Sequence, residues 1–321
     1  MMKEDKVRKI VHLLTTNSRA KTKDIAKELN TSQQNASILL PKLREEGYIR
    51  SFNLLIDSSR FGFSNFCVFL SLKKYSQGSI DRLVENLETY QDISCIDVLF
   101  GNFDIFLRFT SPNASHFNKQ LRKILAEYTD IILNYRILTQ IVLYHYPSNY
   151  LSKEKSESRL IISGDRDIIE VDDTDKQIIN MLNMDARTGA SKIANELDTT
   201  AKTVISRMRN LEKRKVIKGY STTFDHKMLS INRYYLFLKF RFTEPEQDDN
   251  FMKFTRHQDN IIEVIKVFGE WDMILIVETM SPEDFKKILL VIKAMFYEVL
   301  EDYSFLESEE IKRWRYICEL E

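Results

Sequence analysis

The sequence predicts an α+β protein in which two copies of a winged helix-turn-helix domain are each followed by a ferredoxin-like βαββαβ domain and pack together as an intrachain pseudo-dimer. The main indication is an internal repeat. The 321-residue chain aligns with itself at an offset of 168, with 26 identities in the 132 pairs that join 7–138 to 175–306. Average composition would give roughly eight or nine. Each copy also opens with a basic, helix-forming segment and continues with alternating strand and helix patterns. A period this long makes each copy a pair of domains rather than a solenoid unit.

The composition is that of an ordinary globular protein, with 43% hydrophobic and 29% charged residues. No apolar run reaches the roughly 18–20 residues that a membrane span needs, and the start of the chain lacks the apolar core of a secretory signal. The three cysteines, Cys67, Cys95 and Cys318, are far apart and are not matched by the repeat. They are therefore interpreted as buried free thiols rather than as disulfide or metal ligands, which predicts a cytoplasmic protein without membrane contact.

The charge is distributed unevenly although the net charge is zero. Residues 6–52 carry 10 basic and 4 acidic side chains, which gives +6, and residues 175–220 carry 10 and 5, which gives +5. Residues 225–321 carry 13 and 20, which gives −7. Two basic modules at equivalent places in the repeat predict binding to a polyanion such as double-stranded DNA. Solvated helical faces are the alternative explanation of the same charges.

The basic module of the second copy has the pattern of three short helices with a turn before the third. Apolar residues recur at helical spacing, and Asp198-Thr199-Thr200 supplies the turn and an N-cap. The third helix, about 201–213, is predicted to have an apolar inner face and a basic outer face, as expected for a recognition helix in the major groove. A β-wing beside the DNA backbone is expected over 216–220. The residues expected to contact DNA from this copy are Thr200, Lys202, Thr203, Ser206, Arg207, Arg209, Lys213 and Lys218.

The first copy repeats this plan with a different outer face. Its glutamine and asparagine side chains can read adenine by paired hydrogen bonds, although such residues are equally common on solvent-facing surfaces. Pro41 lies about eight residues into the third helix, where it removes a hydrogen bond at a cost of roughly 3 kcal/mol, so the helix is expected to kink or end early. The module is thus either an asymmetric DNA reader or only a scaffold. The residues expected to contact DNA from this copy are Ser32, Gln33, Gln34, Asn35, Ser37 and Lys42.

The second half of each copy follows the order β-α-β-β-α-β, which is the ferredoxin-like arrangement. The expected strands are 66–72, 93–100, 103–109 and 131–144 in the first copy, and 234–242, 261–268, 271–278 and 299–317 in the second. Amphipathic helices are expected between them, and Gly101-Asn102 is a short-hairpin signal. A sheet with helices on one face needs a partner on the other, which is most economically the other copy.

Two segments resemble a known family. Asp172–Asp225 is similar to the winged helix-turn-helix of Lrp/AsnC, or feast/famine, transcription regulators, and Val267–Val277 is similar to the glycine–x–aromatic–Asp hairpin of their effector-binding RAM domain. The resemblance implies a DNA-binding regulator that forms homo-oligomers through its RAM-like domains and binds a small molecule, often an amino acid, near the hairpin loops. The alternative role of the hairpin aspartates is only to brace the hairpin. The matching effector-site residues are Gly101, Asn102, Asp104, Gly269, Glu270 and Asp272.

The repeat also sets the predicted domain boundaries. Winged helix-turn-helix domains are expected over 1–56 and 172–224, and RAM-like domains over 57–146 and 225–321, with a linker over 147–171. The serine-rich, charged composition of the linker predicts flexible ends. Its inner segment, 159–162, has apolar residues that could pair as a strand.

Other classes of function have less support in the sequence. Siroheme decarboxylases also resemble this family and can be fused pairs, but such chemistry needs His, Tyr or Arg clustered at a pocket. The five histidines do not coincide between the copies, and we find no nucleophile–base pair, metal-ligand spacing or phosphate loop in the sequence. We therefore expect a transcription regulator and not an enzyme, with no cofactor and no metal. A sensor that has lost DNA binding is the remaining alternative.

Overall fold

A computed structural model describes residues 4–73, 76–152, 155–156, 159–241 and 244–320. The first copy contains a helix-turn-helix domain and a βαββαβ domain. Its elements are α1 (Glu4–Thr16), α2 (Thr22–Glu28), α3 (Gln33–Glu45), β1 (Ile49–Ile56), β2 (Ser64–Leu72), α4 (Gln77–Leu87), β3 (Ile93–Phe100), β4 (Ile105–Ser111), α5 (Ala114–Glu127) and β5 (Ile132–His145).

A linker strand and the second copy follow. Their elements are β6 (Leu160–Ile162), α6 (Asp173–Met184), α7 (Ala190–Glu196), α8 (Ala201–Lys213), β7 (Ile217–Phe224), β8 (Asn232–Phe240), α9 (Pro245–Arg256), β9 (Ile261–Phe268), β10 (Met273–Thr279), α10 (Pro282–Met295) and β11 (Leu300–Trp314). The predicted order of helices and strands is confirmed in both copies. The predicted end of one strand, Phe242, lies outside the described residues.

The third helices α3 and α8 begin at side-chain caps. Ser32 accepts a hydrogen bond from the backbone of Asn35, and Thr200 accepts one from that of Thr203. Contrary to the expectation of an early end, α3 continues for four residues beyond Pro41. Leu40 and Leu43 are buried on either side of the proline, so packing holds both halves of the helix against the core. Pro41 is exposed, which lets water hydrate the carbonyl that loses its helical partner.

The two wing strands do not project toward DNA, which corrects the expectation for 216–220. Instead β1 and β7 pair with each other as an antiparallel ribbon between the two helix-turn-helix domains. The register places Asn53 opposite Ser221, which are equivalent residues of the repeat. The pseudo-twofold axis therefore passes through this pair. The ribbon is mostly buried because α1 and α6 pack against it from the two copies.

The two βαββαβ domains form one closed barrel. Their strands follow the order β2-β4-β3-β11-β8-β10-β9-β5, and β2 also pairs with β5, which closes the ring of eight antiparallel strands. The copies are joined where β3 pairs with β11 and where β9 pairs with β5. Two helices of each copy pack on the outside of the barrel through separate apolar clusters. The predicted fold class, including the intrachain pseudo-dimer, is confirmed.

The linker is attached to this barrel through its inner segment. Strand β6 pairs with the end of β5, so the linker forms the strand that its apolar residues allowed. Farther along, Gly164 donates its N–H to Ser59 Oγ at 2.9 Å and Ile169 donates to the carbonyl of Arg60 at 2.8 Å. The three cysteines are free and buried, as expected. Within the described chain, every helix is too short or too polar to cross a membrane.

Candidate DNA-binding surface and ligand pockets

The outer face of α8 carries cations that are available to a ligand. Lys202, Arg209 and Lys213 are exposed, and the described residues place no acidic side chain within ion-pairing distance of them. Thr203 and Ser206 lie on the same exposed surface. Val204, Met208 and Leu211 fix this orientation because they are buried on the opposite face. The helix can therefore present three cations and two hydroxyls to a polyanion.

Two of the basic residues expected at DNA are engaged inside the protein. Arg207 Nη1 donates to Asp172 Oδ2 at 2.7 Å and to Asp175 Oδ1 at 2.9 Å, and these hydrogen bonds raise the pKa of Arg207. It thereby ties α8 to the start of α6. Lys218 Nζ lies 3.3 Å from the fully buried carboxylate of Asp57. Arg207 therefore holds two helices of one domain together, and Lys218 joins the second copy to the first.

The outer face of α3 is neutral in comparison. Gln33 and Gln34 are exposed, and neither makes a side-chain hydrogen bond to a described residue. Asn35 Nδ2 donates to Thr31 Oγ1 at 3.2 Å, and Ser37 Oγ donates to the carbonyl of Gln34 at 2.7 Å. Ser32 serves as the N-cap, and Lys42 lies 3.7 Å from Glu46. Leu39 and Pro41 occupy the places that Arg207 and Arg209 hold in α8.

The two helix-turn-helix domains hold each other through a reciprocal pair of arginines. Arg19 Nη1 donates to the carbonyls of Ala186 and Thr188, at 2.5 and 3.0 Å. The equivalent Arg187 donates to the carbonyls of Ser18 and Ala20. Burial and the neighbouring Arg19 lower the pKa of Arg187. With the β1–β7 ribbon, these contacts fix α3 and α8 relative to each other.

The hairpin glycines and aspartates of the barrel have structural partners. Gly101 and Gly269 have φ angles of +139° and +147°. A Cβ at either position would lie 2.6 or 2.7 Å from a leucine methyl of the other copy. Asp104 accepts a hydrogen bond from the backbone of Leu72 at 2.6 Å, and Asp272 accepts one from Phe240 at 2.7 Å. These contacts agree with the bracing role for both aspartates.

The remaining two hairpin residues line a pocket on the pseudo-twofold axis. This axial pocket has a volume of about 320 Å³ and is lined by equivalent residues of both copies. Asn102 and Glu270 are at its rim, and Arg136 Nε lies 3.2 Å from Glu270 Oε2. The aromatic rings that line it are Phe69, Phe103, Phe237 and Trp271. An apolar floor with one cation and one carboxylate suits a small zwitterion.

A buried polar cluster lies where the barrel meets the β1–β7 ribbon. Its residues were not among those predicted from the sequence. Glu278 accepts hydrogen bonds from His226, Arg233 and Tyr150, at 2.7, 2.6 and 2.8 Å. Burial alone would raise the pKa of Glu278, but His226 and Arg233 outweigh it and lower this pKa to about 2. The cluster thus stabilises the ionised carboxylate at the core of the chain.

The same cluster continues toward the first copy. Tyr316 Oη donates to Glu263 Oε1 at 2.5 Å, and His145 Nδ1 lies 3.3 Å from that oxygen. Arg108 stacks over the ring of Trp314 with its guanidinium carbon 5.3 Å from the ring centre. The cavity beside these groups has a volume of only about 40 Å³, which is space for one or two waters. Little in the sequence indicated this cluster, because His145 and His226 are not equivalent positions of the repeat.

Comparison with known proteins supports the helix-turn-helix assignment in both copies. Residues 171–212 match the AsnC-type helix-turn-helix domain, and residues 3–50 match a winged helix-turn-helix DNA-binding domain. The regulatory protein AsnC of Haemophilus influenzae is 24% identical over 124 residues, which is 39% of this chain and 79% of that protein. The HTH-type transcriptional regulator FL11 of Pyrococcus horikoshii is 25% identical over 114 residues, which is 36% of this chain and 74% of that protein. The chain is thus similar to Lrp/AsnC regulators and carries an AsnC-type helix-turn-helix domain in its second copy.

The chain also shares its whole fold with a solved structure. The crystal structure of the siroheme decarboxylase NirDL superposes with a TM-score of 0.60 and covers 99% of this chain and 94% of that one. The two sequences are 12% identical, so the likeness shows the fold alone. Because the likeness extends over both copies, it agrees with the tandem arrangement of this chain.

Proposed function

We propose that this chain is a sequence-specific DNA-binding transcription regulator that acts in the cytoplasm. The observation that carries the proposal is the outer face of α8, where Lys202, Arg209 and Lys213 are exposed and have no acidic partner among the residues that the structure describes. Such a face can neutralise phosphates or bond guanine edges in a major groove. Arg207 and Lys218 support the surface from behind rather than contact DNA.

The two recognition helices are expected to read different half-sites. Gln33 and Gln34 of α3 suit adenine, whereas Arg209 and Lys202 of α8 suit guanine or phosphate. The reciprocal arginines Arg19 and Arg187 hold the helices at one separation, so the two half-sites should have one spacing. An operator selected from random DNA is therefore expected to be non-palindromic. A perfect palindrome would contradict this asymmetry.

The test of DNA binding is the affinity of the full chain for its own upstream DNA over a salt series. Removing a phosphate contact with Arg209→Ala should weaken binding about fivefold to thirtyfold and make the salt slope shallower by about one. Arg207→Ala should lower the thermal midpoint of the second helix-turn-helix domain and leave the salt slope unchanged. Lys287→Ala, an exposed change on α10, is the matched control for lost charge.

The outcomes separate the proposed classes of function. A steep salt dependence that only Arg209→Ala reduces would support the assigned surface. A slope that falls for Arg207→Ala but not for Arg209→Ala would contradict the assignment. No binding at low salt would reject the DNA-binding function and favour a sensor that acts without DNA.

We also propose that the axial pocket takes an apolar amino acid. Arg136 would bind the carboxylate, Glu270 the ammonium group, and the ring of Trp271 the side chain. The glycines and aspartates of the hairpins would shape the loops rather than touch the ligand. Calorimetric titration with a set of amino acids tests this, with Arg136→Gln expected to abolish binding. Equal affinity of the native chain and this variant would refute the pocket assignment.

The barrel surface supports assembly of several chains. Phe100 and Phe268 at equivalent hairpin positions are 64% and 76% exposed, and Ile137 and Phe305 lie beside them on the neighbouring strands. Exposed apolar patches of this kind mark interaction sites. We propose that two or more chains associate through these RAM-like surfaces. Light scattering after gel filtration should give a mass above that of one chain, and Phe268→Ser should lower it.

An enzyme of siroheme decarboxylase type is the second candidate. The shared fold and the buried His, Tyr and Arg cluster favour it, because such groups are what that chemistry needs. The cluster cavity of about 40 Å³ argues against it, since ligand pockets are usually several hundred Å³. Glu263 and Glu278 also neutralise the arginines that would bind an acidic substrate. Tetrapyrrole absorbance in the purified chain, or after titration with siroheme, would favour the enzyme.

A further inference from the structure

A second groove opens where all four domains meet. This junction groove has a volume of about 480 Å³. Its walls come from the end of α3 and β1 in the first helix-turn-helix domain and from the end of α6 in the second. Glu88 after α4 and residues 310–315, at the end of β11 and just beyond it, complete them. It is separate from the axial pocket, with which it shares no lining residue.

The equivalent space on the other side of the pseudo-twofold axis is filled by the chain itself. Residues 143–145 of β5, which correspond to 311–313 of β11, are paired with the linker strand β6. Leu160 of that strand lies against Gly219, the equivalent of Ser51 in the junction groove. The chain has one linker, so only one of the two equivalent grooves is filled from within. The junction groove is the one that stays open.

The junction groove is also much more basic than its filled counterpart. Lys312, Arg313 and Arg315 stand where the filled side has Tyr144, His145 and Pro147. Together with Arg44 and Arg50 they place five cations around the groove, against the carboxylates of Glu88 and Glu310. The groove therefore has an excess of positive charge at the junction of the domains.

Two of these cations lack a carboxylate partner among the residues that the structure describes. Arg313 donates to the carbonyls of Tyr90 and Ile93, at 3.2 and 3.0 Å, and to that of Glu88. The guanidinium of Arg315 makes no hydrogen bond or ion pair to the described chain, although Glu319 and Glu88 lie near enough to attract it. Burial lowers the pKa of Arg313, and burial together with Arg313 lowers that of Arg315. Two half-buried like charges of this kind are stabilised by an anion.

The other three cations are already paired. Arg44 lies 2.9 Å from Asp185, Lys312 lies 2.9 Å from Glu310, and Arg50 pairs with Asp225. These three cations add positive charge around the groove. An anionic ligand would stabilise them less, because each already has a carboxylate partner. Asn183 also belongs to the groove wall, and its buried Oδ1 has no hydrogen-bond donor within the described part of the chain.

We propose that the junction groove binds one small polyanion per chain, a molecule with two or more carboxylate or phosphate groups, held by Arg315 with Arg313 and Lys312. Because the walls belong to all four domains, such a ligand would link the positions of the helix-turn-helix domains to the barrel. That consequence for DNA affinity rests on the proposed function, whereas binding of the polyanion does not.

The test is calorimetric titration of the full chain with citrate and, without magnesium, with pyrophosphate. At least one of the two should bind with a stoichiometry of one and a dissociation constant below about 1 mM. The stronger probe shows whether carboxylates or phosphates are preferred. Arg315→Gln should weaken binding at least about tenfold, and Arg315→Lys should weaken it less. Lys287→Gln, which removes an exposed cation from α10, is the matched control and should bind as the native chain does.

Several results would overturn the proposal. They are failure of both probes to bind at about 10 mM, a stoichiometry of two, and equal affinity of the native chain and Arg315→Gln. If Arg315→Gln does not fold, as judged by circular dichroism, Lys312→Gln takes its place and should weaken binding about threefold or more. If the native chain binds the polyanion but does not bind DNA, the regulator function is rejected and the polyanion site is still supported.

Discussion

Replacing Gly269 with alanine is expected to destabilise the pseudo-dimer by roughly 2–4 kcal/mol. The φ angle of Gly269 is +147°, a conformation that residues with a Cβ rarely adopt. The new methyl group would lie 2.7 Å from Leu138 Cδ2, and Leu138, which belongs to the other copy, is only 2% exposed. Backbone strain and overpacking each cost about 1–3 kcal/mol, and a shift of the leucine methyl relieves part of the second.

The repeat supplies a replicate and a control for this change. Gly101→Ala should cost a similar amount, because its Cβ would meet Leu306 Cδ2 at 2.6 Å with φ at +139°. Gly78→Ala in α4 meets nothing within 4 Å and should instead gain about 0.5–1 kcal/mol. Urea unfolding followed by tryptophan fluorescence measures all three. A Gly269→Ala variant within about 0.5 kcal/mol of the native chain would refute the assigned contact.

Two further predictions concern buried ionisable groups. Burial raises the pKa of Cys67 and of Cys95 to about 12, so neither thiol should be labelled by iodoacetamide at about pH 8 until urea unfolds the barrel. Labelling of either cysteine in the native chain, mapped by mass spectrometry, would contradict their placement. The pKa of Glu278 falls from an ordinary 4.5 to about 2 in the folded chain. Its ionisation therefore adds about 3 kcal/mol of stability above pH 4.5, which is lost as the pH falls toward 2. Urea midpoints should drop less on acidification in Glu278→Gln, and equal drops would disprove this role.

The repeat made the pairing of the two copies predictable, but not the way in which their strands close. Strands β5 and β11 have 14 and 15 residues, long enough for each to pair with its own copy first and with the other copy afterwards. A period-two pattern indicates which face of a strand is buried, but it does not indicate which strands lie next to it. For the same reason the sequence located the wing strands but did not indicate that β1 and β7 pair with each other.

The candidate DNA face shows the same limit at the level of single residues. Arg207 and Arg209 both lie off the apolar stripe of α8, so helical periodicity treats them alike. Only the packing of α6 across α8 separates them, because it brings Asp172 and Asp175 to Arg207. The acidic residues at the start of α6 could have indicated an ion pair with Arg207, but such residues are equally typical of an ordinary helix N-terminus.

The buried cluster was beyond prediction for a different reason. Its members come from β4, β5 and the linker of the first half of the chain, and from the segment after β7, the strands β8 to β11 and the residues just after β11, so they are distant in sequence. His145 of the first copy and His226 of the second meet the same cavity because the pseudo-twofold axis brings non-equivalent ends of the copies together. A search for histidines at equivalent positions of the two copies therefore misses this pair.

Closure of the barrel by strands of both copies also limits which proteins can exchange with this one. A single-copy relative in the same cell would have to displace the strand pairings β3–β11 and β9–β5. Because the linker keeps the two copies at a high effective concentration, these pairings would form again before the relative could bind. Mixed species with such relatives should therefore not form by subunit exchange. Each molecule always carries one α3 surface and one α8 surface. The two surfaces can therefore change independently by mutation, because two α3 surfaces or two α8 surfaces never occur in one molecule. The fused chain behaves as an obligate heterodimer whose two halves are always synthesised in equal number.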